Sequence, residues 1–146
     1  MDKYDSLKLE NQLCFPLYAL SRKVTKLYKP LLDKYNLTYT QYITMLVIWE
    51  YEKISFKDLG QKLYLDSGTL SPVIKRLKNK ELIDKFRDPT DDRSVVIELA
   101  KKGKEMKKKI IEVPSKMACQ ITGKDETLIQ LKKNLDELLV ESEKWD

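Results

Sequence analysis

Apolar side chains recur along this chain with a helical rhythm at both ends and a mixed rhythm between. Leu9, Leu13, Leu17, Leu20, Val24, Leu27 and Leu31 step by three or four residues, the stripe of one long amphipathic helix. Met106, Ile110, Val113, Met117 and Ile121 repeat that spacing, and Leu128, Leu131, Leu135 and Leu138 carry it to the far end. Heptad-like stripes at both ends of a small chain bury their seams either against each other or against a second copy. A helical dimer interface is the preferred solution.

The middle of the chain carries start signals for shorter elements. Thr38-x-x-Gln41 opens an apolar helix over 42–49, and Ser55-x-x-Asp58 opens a short one through Leu63, both in the form of a capping box. Asp66 then caps a helix in which Leu70, Val73, Ile74 and Leu77 fall on one buried face. At about 100° per residue, the opposite face carries Gly68, Ser71, Pro72, Lys75 and Asn79, with Arg76 at its edge and Ser67 and Thr69 in the first turn. Residues 83–87, a turn over 88–93, and the alternating Val95, Ile97 and Leu99 predict a two-stranded hairpin. Two helices joined by a tight turn and followed by a hairpin make a winged helix. The predicted fold is therefore mainly α with a small β-hairpin wing: a winged helix-turn-helix whose N- and C-terminal helices form a homodimer interface. It occupies a single domain over 1–146, with dimerisation helices at 1–37 and 101–146, a DNA-binding part at 38–99 and the wing at 83–99.

Composition narrows the function. The chain has no histidine, which removes Ser/His/Asp and Cys/His catalysis and imidazole metal sites. It has four glycines and no glycine-rich phosphate loop, so nucleotide enzymes are disfavoured and neither cofactor nor metal is expected. The polar start MDKYDSLKLENQ and the two cysteines predict a cytoplasmic protein rather than a secreted disulfide framework, and no stretch is apolar for long enough to enter a membrane. Charge is sorted by segment: net +4 over 52–87, −3 over 88–100, +5 over 101–116 and −4 over 125–146. That sorting suits either a chain that meets a polyanion with its middle or a plain solvated surface.

For double-stranded DNA, Ser67, Thr69 and Ser71 could reach base edges or phosphates from a helix N-terminus while Lys75 and Arg76 supply charge. Arg93, at the hairpin tip, could enter a minor groove with Asp91 holding its guanidinium, or the two could form an ordinary exposed ion pair. Cys14 lies on the flank of the first stripe, partly exposed, with Tyr18 one turn on. It is either an inert small side chain or a thiolate steadied by the phenols of Tyr18, Tyr28 and Tyr39. Fourteen residues separate Cys14 from Tyr28, about 21 Å of continuous helix, so those two could meet only across an antiparallel dimer. Cys119 is either core-facing or a resolving thiol for the partner's Cys14.

The strings KLENQLCF, YKPLLDKYNLTYTQY, LYLDSGTLSPVIKRL and DDRSVVIEL, nearly end to end, resemble the MarR-type winged-helix regulators and, within them, the organic-hydroperoxide-sensing OhrR branch. The resemblance implies a homodimeric bacterial repressor whose Cys14 reacts with an organic hydroperoxide, with Tyr28 and Tyr39 matching the tyrosines that reach the partner's cysteine. Asp91 and Arg93 match the family's paired acid and minor-groove arginine, and Cys119 resembles the distal cysteine of the two-cysteine members. Two positions depart from the pattern: Pro16, close to Cys14, and Ala100, where many members place a threonine or serine cap. The rival functions are a repressor answering a small phenolic or apolar ligand, a thiol peroxidase, and a coiled-coil adaptor that does not bind DNA.

Overall fold

The computed structural model describes residues 2–145, so the outermost limits of the expected domain, at Met1 and Asp146, lie outside the described residues. Two 3₁₀ turns, Asp5–Leu7 and Leu9–Asn11, come first, stitched by Asn11 Nδ2 donating to the Asp5 carbonyl at 2.7 Å and Gln12 Nε2 to the Ser6 carbonyl at 2.6 Å. Helix α1 (Cys14–Asp33) follows. The leucine stripe thus overreaches its helix at the front: Leu9 lies in a 3₁₀ turn and Leu13 caps α1. Pro16 is the reason. It is the third residue of α1, where a backbone N–H has no intrahelical acceptor, so a proline starts the helix there instead of kinking it. The helix runs on through Pro30.

Helix α2 (Tyr39–Tyr51) begins on a complete capping box, Gln41 N–H donating to Thr38 Oγ1 at 3.2 Å and Thr38 N–H to Gln41 Oε1 at 3.2 Å. A Thr38→Ala substitution should lower the unfolding free energy by about 1 kcal/mol, measured by urea titration of the reduced protein. Strand β1 (Lys53–Ser55) leads into α3 (Phe56–Leu63). At the start of α3 only half of the expected box forms: Ser55 Oγ accepts the Asp58 N–H at 3.0 Å, and the aspartate, shorter than Glu or Gln by a methylene, gives no return bond. Tyr64, at φ +55, turns the chain into α4 (Ser67–Asn79), whose N-cap Asp66 accepts the Thr69 N–H at 2.7 Å.

Strands β2 (Ile83–Asp88) and β3 (Asp91–Leu99) form the wing, and β1 joins β3 on its other edge through the Lys53↔Glu98, Ile54↔Ile97 and Ser55↔Val96 pairs. The sheet therefore has three antiparallel strands in the order β1-β3-β2, one more than the expected hairpin. Its turn is also tighter, closing over Pro89 and Thr90 rather than the whole of 88–93. Helices α5 (Lys101–Ile110), α6 (Glu112–Gln120) and α7 (Asp125–Ser142) complete the chain.

One core ties these elements together. Leu32 of α1, Met45 and Ile48 of α2, Leu59 of α3, Leu70, Ile74 and Leu77 of α4, Ile83 and Ile97 of the sheet and Val113 of α6 are at most 1% exposed. Helix α5 crosses the sheet at Gly103, where an added Cβ would collide with the Leu82 carbonyl and lie 2.6 Å from Leu99 Cδ1. The Gly103 carbonyl accepts the buried Trp49 indole N–H at 2.9 Å. In contrast, α7 buries no residue within the chain; Ile129 and Val140 are 70% and 62% exposed. Among the described residues no helix is long and apolar enough to cross a membrane.

Candidate nucleic-acid interface and thiol site

The sequence of α4 separates its two faces cleanly. Leu70, Ile74 and Leu77 point into the core, while Ser67, Gly68, Thr69, Ser71, Pro72, Lys75 and Arg76 are exposed. The Asp66 carboxylate engages the first turn, and hydrogen bonds from the backbone and hydroxyl of Thr69 hold it below the usual carboxylate range. The Thr69 N–H is therefore taken by the cap, while the hydroxyls of Ser67 and Ser71, the Lys75 and Arg76 cations and the Asn79 amide stay exposed on this face. Small side chains at 67–71 let the backbone approach a flat or grooved surface closely.

The wing presents Arg93 differently from the expectation. Pairing steps from Asp88↔Asp91 to Arg87↔Val95, so Arg93 lies within a bulge of β3 and not at the tip of a turn. Asp91 does not hold the Arg93 guanidinium; Asp91 Oδ1 accepts the Arg93 main-chain N–H at 3.1 Å, the local turn an aspartate makes two residues upstream. Arg87 Nη1 donates to the Asp92 carbonyl at 2.8 Å, and the Asp88 carboxylate accepts the N–H and hydroxyl of Thr90 at 2.9 and 2.8 Å. These bonds shape the bulge and leave Arg93 exposed on the wing.

Both thiols are free and exposed. Cys14 is the first residue of α1, and its neighbours along the chain, Leu13, Phe15, Leu17 and Tyr18, are exposed. Cys119 lies on α6, turned away from the core that its neighbours Val113 and Met117 enter, so of its two expected placements the core-facing one does not occur.

The structure brings Tyr28 and Tyr39 together, ring centroids 4.8 Å apart, and adds Tyr42, 5.6 Å from Tyr28. Burial raises all three phenols, Tyr42 to about 12, so each stays a neutral O–H donor at physiological pH. Tyr18 stands apart, 62% exposed, with the Arg22 guanidinium over its ring at 5.5 Å. Because α1 is continuous from Cys14 to Asp33, the thiol and the tyrosine cluster sit near opposite ends of it, about 21 Å apart within one chain.

A family model for the transcriptional regulators SarA/Rot matches residues 26–110. The organic hydroperoxide resistance transcriptional regulator of Bacillus subtilis (strain 168) is 49% identical over 138 residues, covering 94% of this chain and 94% of that protein. The chain belongs to the organic-hydroperoxide branch of the MarR-type winged-helix transcriptional regulators.

As a MarR-type regulator it is not an enzyme, and its three-stranded sheet with flanking helices is the winged-helix fold expected from the sequence. Its shape is also close to AbfR of Staphylococcus epidermidis. The reduced, DNA-bound form of AbfR matches at a TM-score of 0.74 and 28% identity, covering 94% of this chain and 98% of that one. The disulfide form of AbfR matches at 0.66 and 29%, covering 94% and 96%. Sequence reasoning missed Tyr42, which its spacing of three from Tyr39 on the same helix could have signalled. It also missed Tyr35, Lys80 and Glu112, polar residues that join elements distant in the chain, and the bond from Lys80 to Gln41, a residue that reads in the sequence as a cap.

Proposed function

We propose that this regulator is a homodimeric repressor that grips a pseudo-palindromic operator when reduced and releases it when an organic hydroperoxide oxidises Cys14. Reading of the duplex falls to Ser67, Ser71, Lys75 and Arg76 in the major groove, with Thr69 held by Asp66 at the start of the same helix, and to Arg93 in the minor groove, with Asp91 fixing the bulge that presents it. The observation that carries the redox part is the separation along α1. An exposed thiol stands at one end and a cluster of neutral phenols near the other, too far to serve each other in one chain, so an antiparallel pairing of copies sets each thiol beside the partner's Tyr28 and Tyr39. Tyr18 would then line the approach to the thiol. The exposed apolar side chains of Leu13, Phe15 and Leu17 near it in the chain suit an oxidant with a hydrocarbon body.

The chemistry balances without a cofactor. The Cys14 thiolate attacks one peroxide oxygen, the O–O bond breaks, and the organic alkoxide leaves as an alcohol after taking a proton; the sulfur is oxidised to sulfenic acid. The thiolate of the partner's Cys119 then attacks that sulfur, forming an intersubunit disulfide as the hydroxyl departs as water. Helices that carry the two reading heads shift, and because half-sites lie about 34 Å apart, a modest rotation loses one set of contacts.

A gel-shift assay on the promoter beside the regulator's own gene, reduced against hydroperoxide-treated, tests the reading: a complex unchanged by oxidation would defeat it. The second step is separable. After oxidation a Cys119→Ser protein should show no covalent dimer on non-reducing electrophoresis, and a dimer band of undiminished intensity would remove Cys119 from the resolving role.

A further inference from the structure

The turn between α1 and α2 is gripped from two directions. On the α6 side, the Glu112 carboxylate accepts the Tyr35 hydroxyl at 2.5 Å and the Lys34 ammonium at 2.9 Å, and the Lys109 carbonyl also lies 3.0 Å from Tyr35 Oη. Hydrogen bonds from Tyr35, Lys34 and Lys116 keep the Glu112 carboxyl at about 2, ionised throughout the physiological range. On the α4 side the grip is a single residue. Lys80, the C-cap of α4, donates to the Asn36 carbonyl and, at 2.9 Å, to Gln41 Oε1, the same oxygen that closes the Thr38 capping box.

Lys80 is unusual for a lysine. It is half-buried, and its ammonium meets neutral oxygens where a carboxylate would ordinarily sit. Burial lowers its pKa, with the nearby Arg76 adding to the effect. Gln41 is 3% exposed, and Asn36 is held at φ +54 between the two grips. Two parts of the molecule converge on residues 34–41, α6, which carries Cys119, and α4, which presents the reading face; the segment itself includes Tyr39, whose ring packs at a tilt against Tyr28.

We propose that Lys80 is the positioning residue that couples α4 to the 34–41 turn, so that a displacement of α6 or of the tyrosine pair is passed to the reading helix. The inference rests on the redox reading above and adds the route by which thiol chemistry reaches the DNA. It predicts that the two events can be separated by removing one ammonium, since no other side-chain hydrogen bond from α4 reaches this turn among the described residues.

The experiment treats the full-length wild-type, Lys80→Met and Tyr35→Phe proteins with graded cumene hydroperoxide. Each sample is divided between non-reducing electrophoresis and operator binding. In the wild type, operator binding should fall as the covalent dimer accumulates. Lys80→Met keeps the aliphatic stem and should form the dimer at the wild-type dose, yet hold operator to doses at least 10-fold higher. Tyr35→Phe, which cuts the grip on the α6 side, should behave the same way. Release in step with the disulfide in both variants would overturn the proposal, and so would loss of operator binding by the reduced variants at unchanged melting temperature. A wild-type protein that keeps its operator after oxidation would instead overturn the redox reading, and this inference with it.

Discussion

Replacing Cys14 by serine should leave a regulator that holds its operator equally tightly before and after hydroperoxide. The serine hydroxyl occupies nearly the same volume at the start of α1, and the position is exposed within the chain, so the packing of the chain is not disturbed. On the proposed reading, what is lost is the step that couples the oxidant to the protein, because an alcohol oxygen does not take up a second oxygen from a peroxide. In the wild type the same treatment should weaken operator binding by at least about 100-fold, since specific affinity stands about 10³ to 10⁷ above non-specific affinity and a dimer with one displaced reading head forfeits much of that gap. Gel shifts at matched salt, with and without cumene hydroperoxide, measure both. A Cys14→Ser protein that released operator at the wild-type dose would locate the sensor elsewhere.

Gly103→Ala should destabilise the protein by about 3 kcal/mol, a large effect for the addition of one methyl group. The new Cβ would press on the Leu82 carbonyl, which already accepts the Ala100 N–H at 3.0 Å, and on Leu99, 5% exposed at the end of β3. Neither can yield cheaply: one is backbone, the other is a core side chain. Relief would require α5 to lift from the sheet, lengthening the bond from the Trp49 indole to the Gly103 carbonyl. Urea denaturation of the reduced protein gives the loss directly, and a midpoint equal to the wild type would show that α5 is free to move.

Most of the architecture was legible because each element announces itself in one local pattern. Asp66 and the Leu70, Ile74, Leu77 face define α4 from sequence alone, and the capping box at Thr38 and Gln41 sets the start of α2. What was not legible is what depends on distance or on exact placement. Strand β1 is three residues long, too short to show alternation, and its partner residues 96–98 come more than forty positions later. A bulge inserts residues between paired positions without altering composition, so Arg93 reads as a turn residue when it belongs to a strand. Periodicity extended the first stripe back to Leu9, because leucine spacing carries no information on where the hydrogen-bonded helix begins; Pro16 does. Cys14 and the tyrosines stood out from their placement and family likeness supplied their roles, whereas Lys80 is invisible among 28 basic residues until its acceptors are known.

Helix α7, none of whose residues is fully buried within its own chain, carries a consequence for how much of this regulator a cell must hold. If the seam is completed only by a second copy, every pairing event also stabilises α7, and by mass action the melting temperature should climb with protein titre. Dilution would then loosen the C-terminal segment before it touched the winged core, making scarcity itself a signal for turnover.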